Sequence, residues 1–205
     1  MFEDAIARPT SPTPIKLMVV IGSVRPGRAG LSVALWVHEH TTQIGGFDID
    51  FVDLAELNLP FMNEPKHPKL QQYRHRHTIA WAERVSAADA FLFVTPEYNY
   101  SYSPALKNAL DYLHHEWSGK PVGLVSYGGL AGGTRGVAAL QPVLSALGMM
   151  SVKANVEIPY VSRQIDDGFF EPSERQVEKL TLLLGQLRQL SPTLRGSRSS
   201  ALVIA

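Results

Sequence analysis

Apolar residues are spaced in two rhythms along this chain. Residues 15–21, 90–95 and 121–126 are short runs that are almost wholly apolar and rich in β-branched side chains, which predicts strands covered on both faces. Residues 47–53 alternate instead, with Phe47, Ile49 and Phe51 against Asp48 and Asp50, which predicts a half-exposed strand near a sheet edge. Residues 151–158 form a fifth strand candidate. Helical spacing fills the intervals. Residues 31–43 carry Leu31, Ala34, Leu35, Val37 and His38 on one stripe, stopped by Gly45 and Gly46. Residues 70–88 carry Tyr73, Ile79, Trp81 and Val85. The next helix opens on Ser103 as N-cap with Pro104 in its first turn, and its apolar face is Leu106, Ala109, Leu110 and Leu113. Residues 134–147 hold a helix that Pro142 should kink or split and Gly148 should cap, and residues 172–190 form the last, on Val177, Leu180, Leu184 and Leu187. Residues 54–68, with three prolines, read as loop.

A strand followed by a helix, five times over, is the pattern of an α/β three-layer sandwich: a five-stranded parallel sheet with helices on both faces. The expected strand order is 2-1-3-4-5, with 3-2-1-4-5 as the alternative. With 205 residues the chain suits one main domain, taken as 15–190. Residues 1–14, rich in proline and threonine, read as a flexible segment, and 191–205 as a mobile C-terminal tail.

Composition narrows the chemistry. There is no cysteine, so disulfides, thiol nucleophiles and cysteine-ligated metals are excluded, and a reducing, cytoplasmic setting is expected. Lys plus Arg equals Asp plus Glu, at 19 each, which recommends neither nucleic acid nor an anionic membrane as partner. The histidine pairs 75/77 and 114/115 lack the helical spacing that places two imidazoles on one face, so no metal site is expected, and Arg74 to His77 reads as a solvated helix face.

Ligands of open parallel sheets sit beyond the C-terminal strand ends, and three loops there are unusual. The first, residues 22–32, links a buried strand to a helix N-terminus and carries Ser23, Arg25, Arg28, Gly30, Leu31 and Ser32. Free helix amides, hydroxyls and forked guanidinium groups suit an anion. It has neither the Gly-Lys-Ser/Thr ending of an ATP-binding loop nor the Gly-x-Gly-x-x-Gly of a dinucleotide fold. The second, residues 95–103, puts Pro96, Glu97, Tyr98 and Asn99 with two more tyrosines at the mouth of a central strand, able to stack on a flat ring or to pack on neighbouring loops. The third, residues 126–134, has Ser126, Tyr127, Gly128 and Gly129, with four glycines in six positions, and offers bare backbone to a ligand.

Gly-Ser-x-Arg-x-Gly after strand one, Pro-Glu-Tyr-Asn after strand three with Ser103-Pro104-Ala105-Leu106-Lys107-Asn108-Ala109-Leu110-Asp111 behind it, and a Gly-Gly loop after strand four together resemble the NADPH-dependent FMN reductase family. The likeness runs from about residue 16 to 148. It implies a flavodoxin-like fold, bound FMN, NADPH or NADH as electron donor, and FMN, a quinone, an azo compound or chromate as acceptor. Carried over, Ser23, Arg25 and the amides of Gly30, Leu31 and Ser32 would hold the FMN phosphate. Arg28 would join them or meet the 2′-phosphate of NADPH. Pro96, Glu97, Tyr98 and Asn99 would line the ring and ribityl chain. Ser126, Gly128 and Gly129 would meet the pyrimidine edge, the last two as backbone donors to the reduced ring, with Tyr127 in the same set. The flavin performs the hydride transfer, so no catalytic side chain is named, and Glu97 is read as a loop anchor rather than an acid or base. The family resemblance also implies a homodimer or homotetramer, whose apolar face would be Leu106, Leu110, Tyr112, Leu113 and Trp117. The rival readings are a flavodoxin-type electron carrier and a flavin-sensing regulatory module.

Overall fold

The computed structural model describes residues 13–201, and side chains as far as residue 197. Apart from Thr13 and Pro14, the expected flexible N-terminal segment lies outside the described residues. The elements run β1 (Ile15–Ile21), α1 (Gly30–Ile44), β2 (Phe47–Asp53), α2 (Leu54–Leu57), α3 (Arg76–Ala87), β3 (Ala90–Pro96), α4 (Pro104–Asp111), β4 (Pro121–Tyr127), α5 (Thr134–Ala146), β5 (Met150–Ile158), β6 (Ile165–Asp166), β7 (Phe169–Phe170) and α6 (Glu174–Ala201). Strands β1 to β5 form one parallel sheet in the order β2-β1-β3-β4-β5, and β6 and β7 pair as a small separate hairpin.

Alternation along each strand divides the core into two layers. Met18, Val20, Phe91, Phe93, Val122 and Leu124 face α3, α4 and α5, where Trp81, Trp117, Leu110 and Leu140 fill the space. Leu17, Val19, Ile21, Leu92, Val94 and Val125 face α1 and α6, meeting Val33, Val37, Leu180, Leu183 and Leu184. Gly123 leaves a gap in the side-chain row of β4. A Cβ there would stand 2.5 Å from Leu183 Cδ2, so only glycine lets α6 pack at this depth.

Five expectations are corrected. The buried face of α1 is Gly30, Val33, Ala34, Val37 and Thr41, while Leu31 and Leu35 are exposed at 39% and 51%. Small and β-branched residues approach the sheet more closely than leucines can, and that sets the helix's rotation. The proline-rich stretch contains a short helix, α2, capped by Asp53, whose Oδ1 accepts from Ala55 N at 2.9 Å. The helix expected from residue 70 begins only at Arg76, so His75 lies outside it as the N-cap. The imidazoles of His75 and His77 then stack with centroids 5.2 Å apart, as those of His114 and His115 do at 5.0 Å. The mobile tail expected from residue 191 is helical to Ala201: Ser191 is buried with its hydroxyl on Leu187 O at 2.6 Å, and Arg195 pairs with Asp89, which also accepts from Lys16 N. These contacts carry α6 past Pro192. Finally, Leu106, Leu110, Tyr112, Leu113 and Trp117 are at most 1% exposed inside the chain's own core, so they offer no surface to a second copy. Pro142 is accommodated within α5 without splitting it.

Candidate functional site

The C-terminal ends of β1, β3 and β4 open into a cleft of about 730 Å³ lined by Arg25, Gly27, Arg28, Ala29, Ser32, Pro96, Glu97, Tyr98, Tyr127, Gly128 and Gly129, and on its far side by Tyr160, Val161, Ser162, Ile165 and Gly168. The first loop enters it from a fixed anchor. Gly22 N donates to Val94 O at 2.8 Å, and Ser103, while capping α4 through Leu106 N at 3.1 Å, donates its hydroxyl to Gly22 O. The loop then delivers α1 with no side-chain cap on its first turn, so the partial positive charge of the helix faces the cleft unneutralised.

The two arginines of this loop differ. Arg25 is exposed, and no hydrogen bond or ion pair holds it among the described residues. Arg28 pairs with Asp53, both side chains being largely buried at 16% and 7% exposure, and its Nε is buried without a partner. The Ser23 and Tyr127 hydroxyls are likewise buried, next to each other. Both crowd Gly30, where a Cβ would lie 2.3 Å from Ser23 Oγ and 2.4 Å from Tyr127 Oη, so position 30 admits no side chain. Burial pushes the Tyr127 phenol well above its ordinary range, and it stays protonated at neutral pH.

The second loop leaves β3 with Glu97 N donating to Tyr127 O at 2.9 Å, then folds into a tight turn in which Tyr98 and Ser101 exchange backbone hydrogen bonds at 2.8 and 3.0 Å. Its central residues, Asn99 and Tyr100, both have positive φ, at 47° and 68°. Glu97 bonds to Arg135 at the start of α5, with Arg135 Nε to Glu97 Oε1 at 2.6 Å and Arg135 N to Glu97 Oε2 at 3.2 Å. The anchor reading of Glu97 therefore has a definite partner.

The third loop uses most of its polar groups on itself and on the segment that follows β5. Ser126 donates to Gly132 O at 2.9 Å, Gly128 N to Ile158 O at 3.2 Å, Tyr160 N to Gly129 O at 3.0 Å, and Val161 N to Gly128 O at 3.3 Å. Gly133 has φ of 90°, and a Cβ there would meet Ser126 Cβ at 2.5 Å and Tyr127 N at 2.7 Å. This corrects the expectation that Gly128 and Gly129 both present free amides: the Gly128 N–H is engaged by Ile158, which leaves that of exposed Gly129.

The cleft thus gathers Arg25, Arg28, Ser32, Pro96, Glu97, Tyr98, Tyr127, Gly128 and Gly129 into one wall system. Ser23, Gly30, Leu31, Asn99 and Ser126 do not line it: Ser23, Gly30 and Ser126 are buried behind it, and Leu31 and Asn99 face solvent. Sequence reading missed the wall from Tyr160 to Gly168. The positive-φ residues Tyr160, Asp167 and Gly168 build it, and of these the pair Asp167-Gly168, the turn between β6 and β7, is a hairpin signal in the sequence.

The fold and cleft define a class: flavodoxin-like α/β proteins whose strand-end loops cradle a flat, phosphate-bearing ligand. An uncapped helix terminus flanked by two arginines and the Tyr127 hydroxyl at one end, and Tyr98 with bare glycine backbone at the other, suit the two ends of a flavin mononucleotide. The match to a family model described as NADPH-dependent FMN reductase covers residues 15–161, and the chain belongs to that family. It is 46% identical over 120 residues to an NAD(P)H-dependent FMN reductase of Schizosaccharomyces pombe (58% of this chain, 60% of that one). It is 34% identical over 132 residues to an NAD(P)H:quinone oxidoreductase of Solanum tuberosum (59% and 62%). The matched part spans about three fifths of each relative. Among solved structures it is similar to FerB, a flavoenzyme NAD(P)H:(acceptor) oxidoreductase of Paracoccus denitrificans, with a TM-score of 0.70 at 20% identity, covering 87% of this chain and 98% of that one.

Proposed function

We propose that the cleft holds FMN and that the chain is an NAD(P)H-dependent reductase passing electrons to a small acceptor, FMN itself or a quinone. The observation that carries this reading is the convergence, in one cleft, of the uncapped N-terminus of α1 with Arg25, Arg28 and the Tyr127 hydroxyl at one end and of Tyr98 and Gly129 at the other. Arg25, which no described residue pairs, and the first-turn amide of Ser32 hold the phosphate. Arg28 shares its charge with Asp53 and stiffens the loop. Pro96, Glu97, Tyr98 and Tyr127 bound the ring, and the Gly129 N–H would donate to its polar edge. FMN, when bound, supplies the hydride acceptor and electron carrier that no side chain here provides. Glu97 is neutralised by Arg135 and moves no proton.

Purified protein titrated with FMN and then given NADPH anaerobically tests the reading. Bound flavin that bleaches supports the reductase. Flavin that binds but stays oxidised with NADPH and NADH favours a carrier or regulatory module, and absence of flavin binding overturns the reading.

We also propose a homodimer. Its interface draws on the exposed apolar side chains Phe61 (87% exposed) and Leu70 (56%) beside α4 rather than on α4's buried face. A monomeric mass in light scattering would count against it.

A further inference from the structure

Arg135 was not singled out by the sequence, yet it makes four contacts with one loop of the cleft. Its Nε lies 2.6 Å and its Nη2 2.5 Å from Glu97 Oε1. Its backbone N donates to the other carboxylate oxygen at 3.2 Å. Its guanidinium carbon sits 3.9 Å from the centre of the Tyr100 ring. Glu97 is buried, its side chain 7% exposed, so the pair is partly shielded from water.

The loop needs such a brace. Tyr100 has φ of 68°, a left-handed conformation that a tyrosine adopts at a cost and keeps only when its surroundings hold it there. The first turn of α5 is also the surface on which the loop is moulded: a Cβ on Gly136 would lie 3.0 Å from Ser101 O. The turn from Tyr98 to Ser101 is therefore clamped at both ends, by Glu97 on Arg135 and by Tyr100 beneath the same guanidinium.

We propose that Arg135 is a positioning residue that holds the 96–101 loop in the shape that grips the flavin ring. The proposal rests on the flavin reading above. It also makes a claim about which end of the ligand feels the residue. Arg135 acts on the ring wall formed by Pro96, Glu97 and Tyr98, and the phosphate end is built separately from residues 25–32. Its loss therefore weakens FMN and riboflavin, which lacks the phosphate, by the same factor.

The test is a fluorescence titration of the flavin-free chain with FMN and with riboflavin, using wild type, Arg135→Lys, Arg135→Met and Arg135→Met combined with Tyr100→Gly. Arg135→Met should weaken both flavins about tenfold with their ratio unchanged, as loss of one shielded charge pair and one cation–ring contact implies. Arg135→Lys should fall between, since a lysine keeps the charge but not the fork. Adding Tyr100→Gly should recover most of the loss, because glycine takes a positive φ unaided. In the flavin-free chain, hydrogen exchange at the amides of Tyr98 and Ser101 should quicken in Arg135→Met. Unchanged affinities would overturn the proposal. So would a loss confined to FMN, which would make Arg135 a phosphate contact, or a fall in Tm with no recovery in the double variant, which would make it a structural support only. Wild type that binds neither flavin would refute the flavin reading itself; the exchange measurement then still reports whether Arg135 braces the loop.

Discussion

The first and third loops of the cleft are both glycine-rich, both follow buried strands, and both invite the same reading as cradles of free backbone. The structure separates them. The first leaves the leading turn of α1 uncapped and the Arg25 side chain free. The third ties Ser126, Gly128 and Gly129 into bonds with its own neighbours, and its glycines serve close packing. Glycine content marks where backbone comes near something. It does not say whether that something is a ligand or the rest of the chain.

The sharpest way to break this contrast is Gly133→Ala. A methyl there faces Ser126 Cβ at 2.5 Å and Tyr127 N at 2.7 Å in a backbone conformation that alanine resists. A destabilisation of about 3 kcal/mol or more is expected, read as a fall in the denaturant midpoint, with flavin binding lost alongside. Gly129→Ala, four residues away with nothing within 4 Å, should change stability by less than about 0.5 kcal/mol. If the two variants behave alike, the third loop is not a packed structure.

For the first loop the expected effect is on binding. Arg25→Gln should weaken FMN about tenfold, or about 1.4 kcal/mol, while leaving riboflavin unchanged. Arg28→Gln should act mainly on stability, by about 2 kcal/mol, because it strands the buried Asp53 carboxylate. Reversed effects at the two positions would exchange the roles given to these arginines.

The smallest expected effect is a control remote from both loops. Burial opposes charge on Glu116, but hydrogen bonds from its own and the His114 amides, Tyr73 and Gln71 outweigh that and hold its carboxyl below the ordinary 4.5. A lowered folded pKa gives stability that is fully present above the unfolded value and is lost as pH falls through the folded one. Wild type should therefore lose more stability than Glu116→Gln as pH falls from 6 to about 3, read as a steeper fall in Tm, with flavin discrimination untouched.

How much of this could be read from sequence follows from where the constraint lies. The strands and the three loops are local features and stand where the pattern puts them, whereas the strand order, β2-β1-β3-β4-β5, is the preferred one of two that the pattern allowed. The rotation of α1 could not be read, because Leu31 and Leu35 outweigh Val33 and Thr41 in hydrophobicity while the sheet selects for close approach. The apolar residues of α4 and Trp117 suggested an interface only because nothing local shows how deeply Trp81 and the sheet enclose them. The engaged Gly128 amide and the wall from Tyr160 to Gly168 depend on a chain excursion after β5 that carries no periodic signal. Arg135 is invisible in sequence because Glu97 lies 38 positions away and Tyr100 35.

The missing side chain at Gly123 also sets a registration mark. Leu183 fills that notch in β4, and α6 packs along the same sheet face through Leu180, Leu184 and Leu187. A long helix on a smooth sheet could slide by one turn, about 5.4 Å, and still bury leucines. Here a slide would lift Leu183 out of its notch onto the rows of Leu92 and Val125. The notch acts as a detent, fixing the helix lengthwise, and with it the meeting of Arg195 and Asp89 near the start of β1.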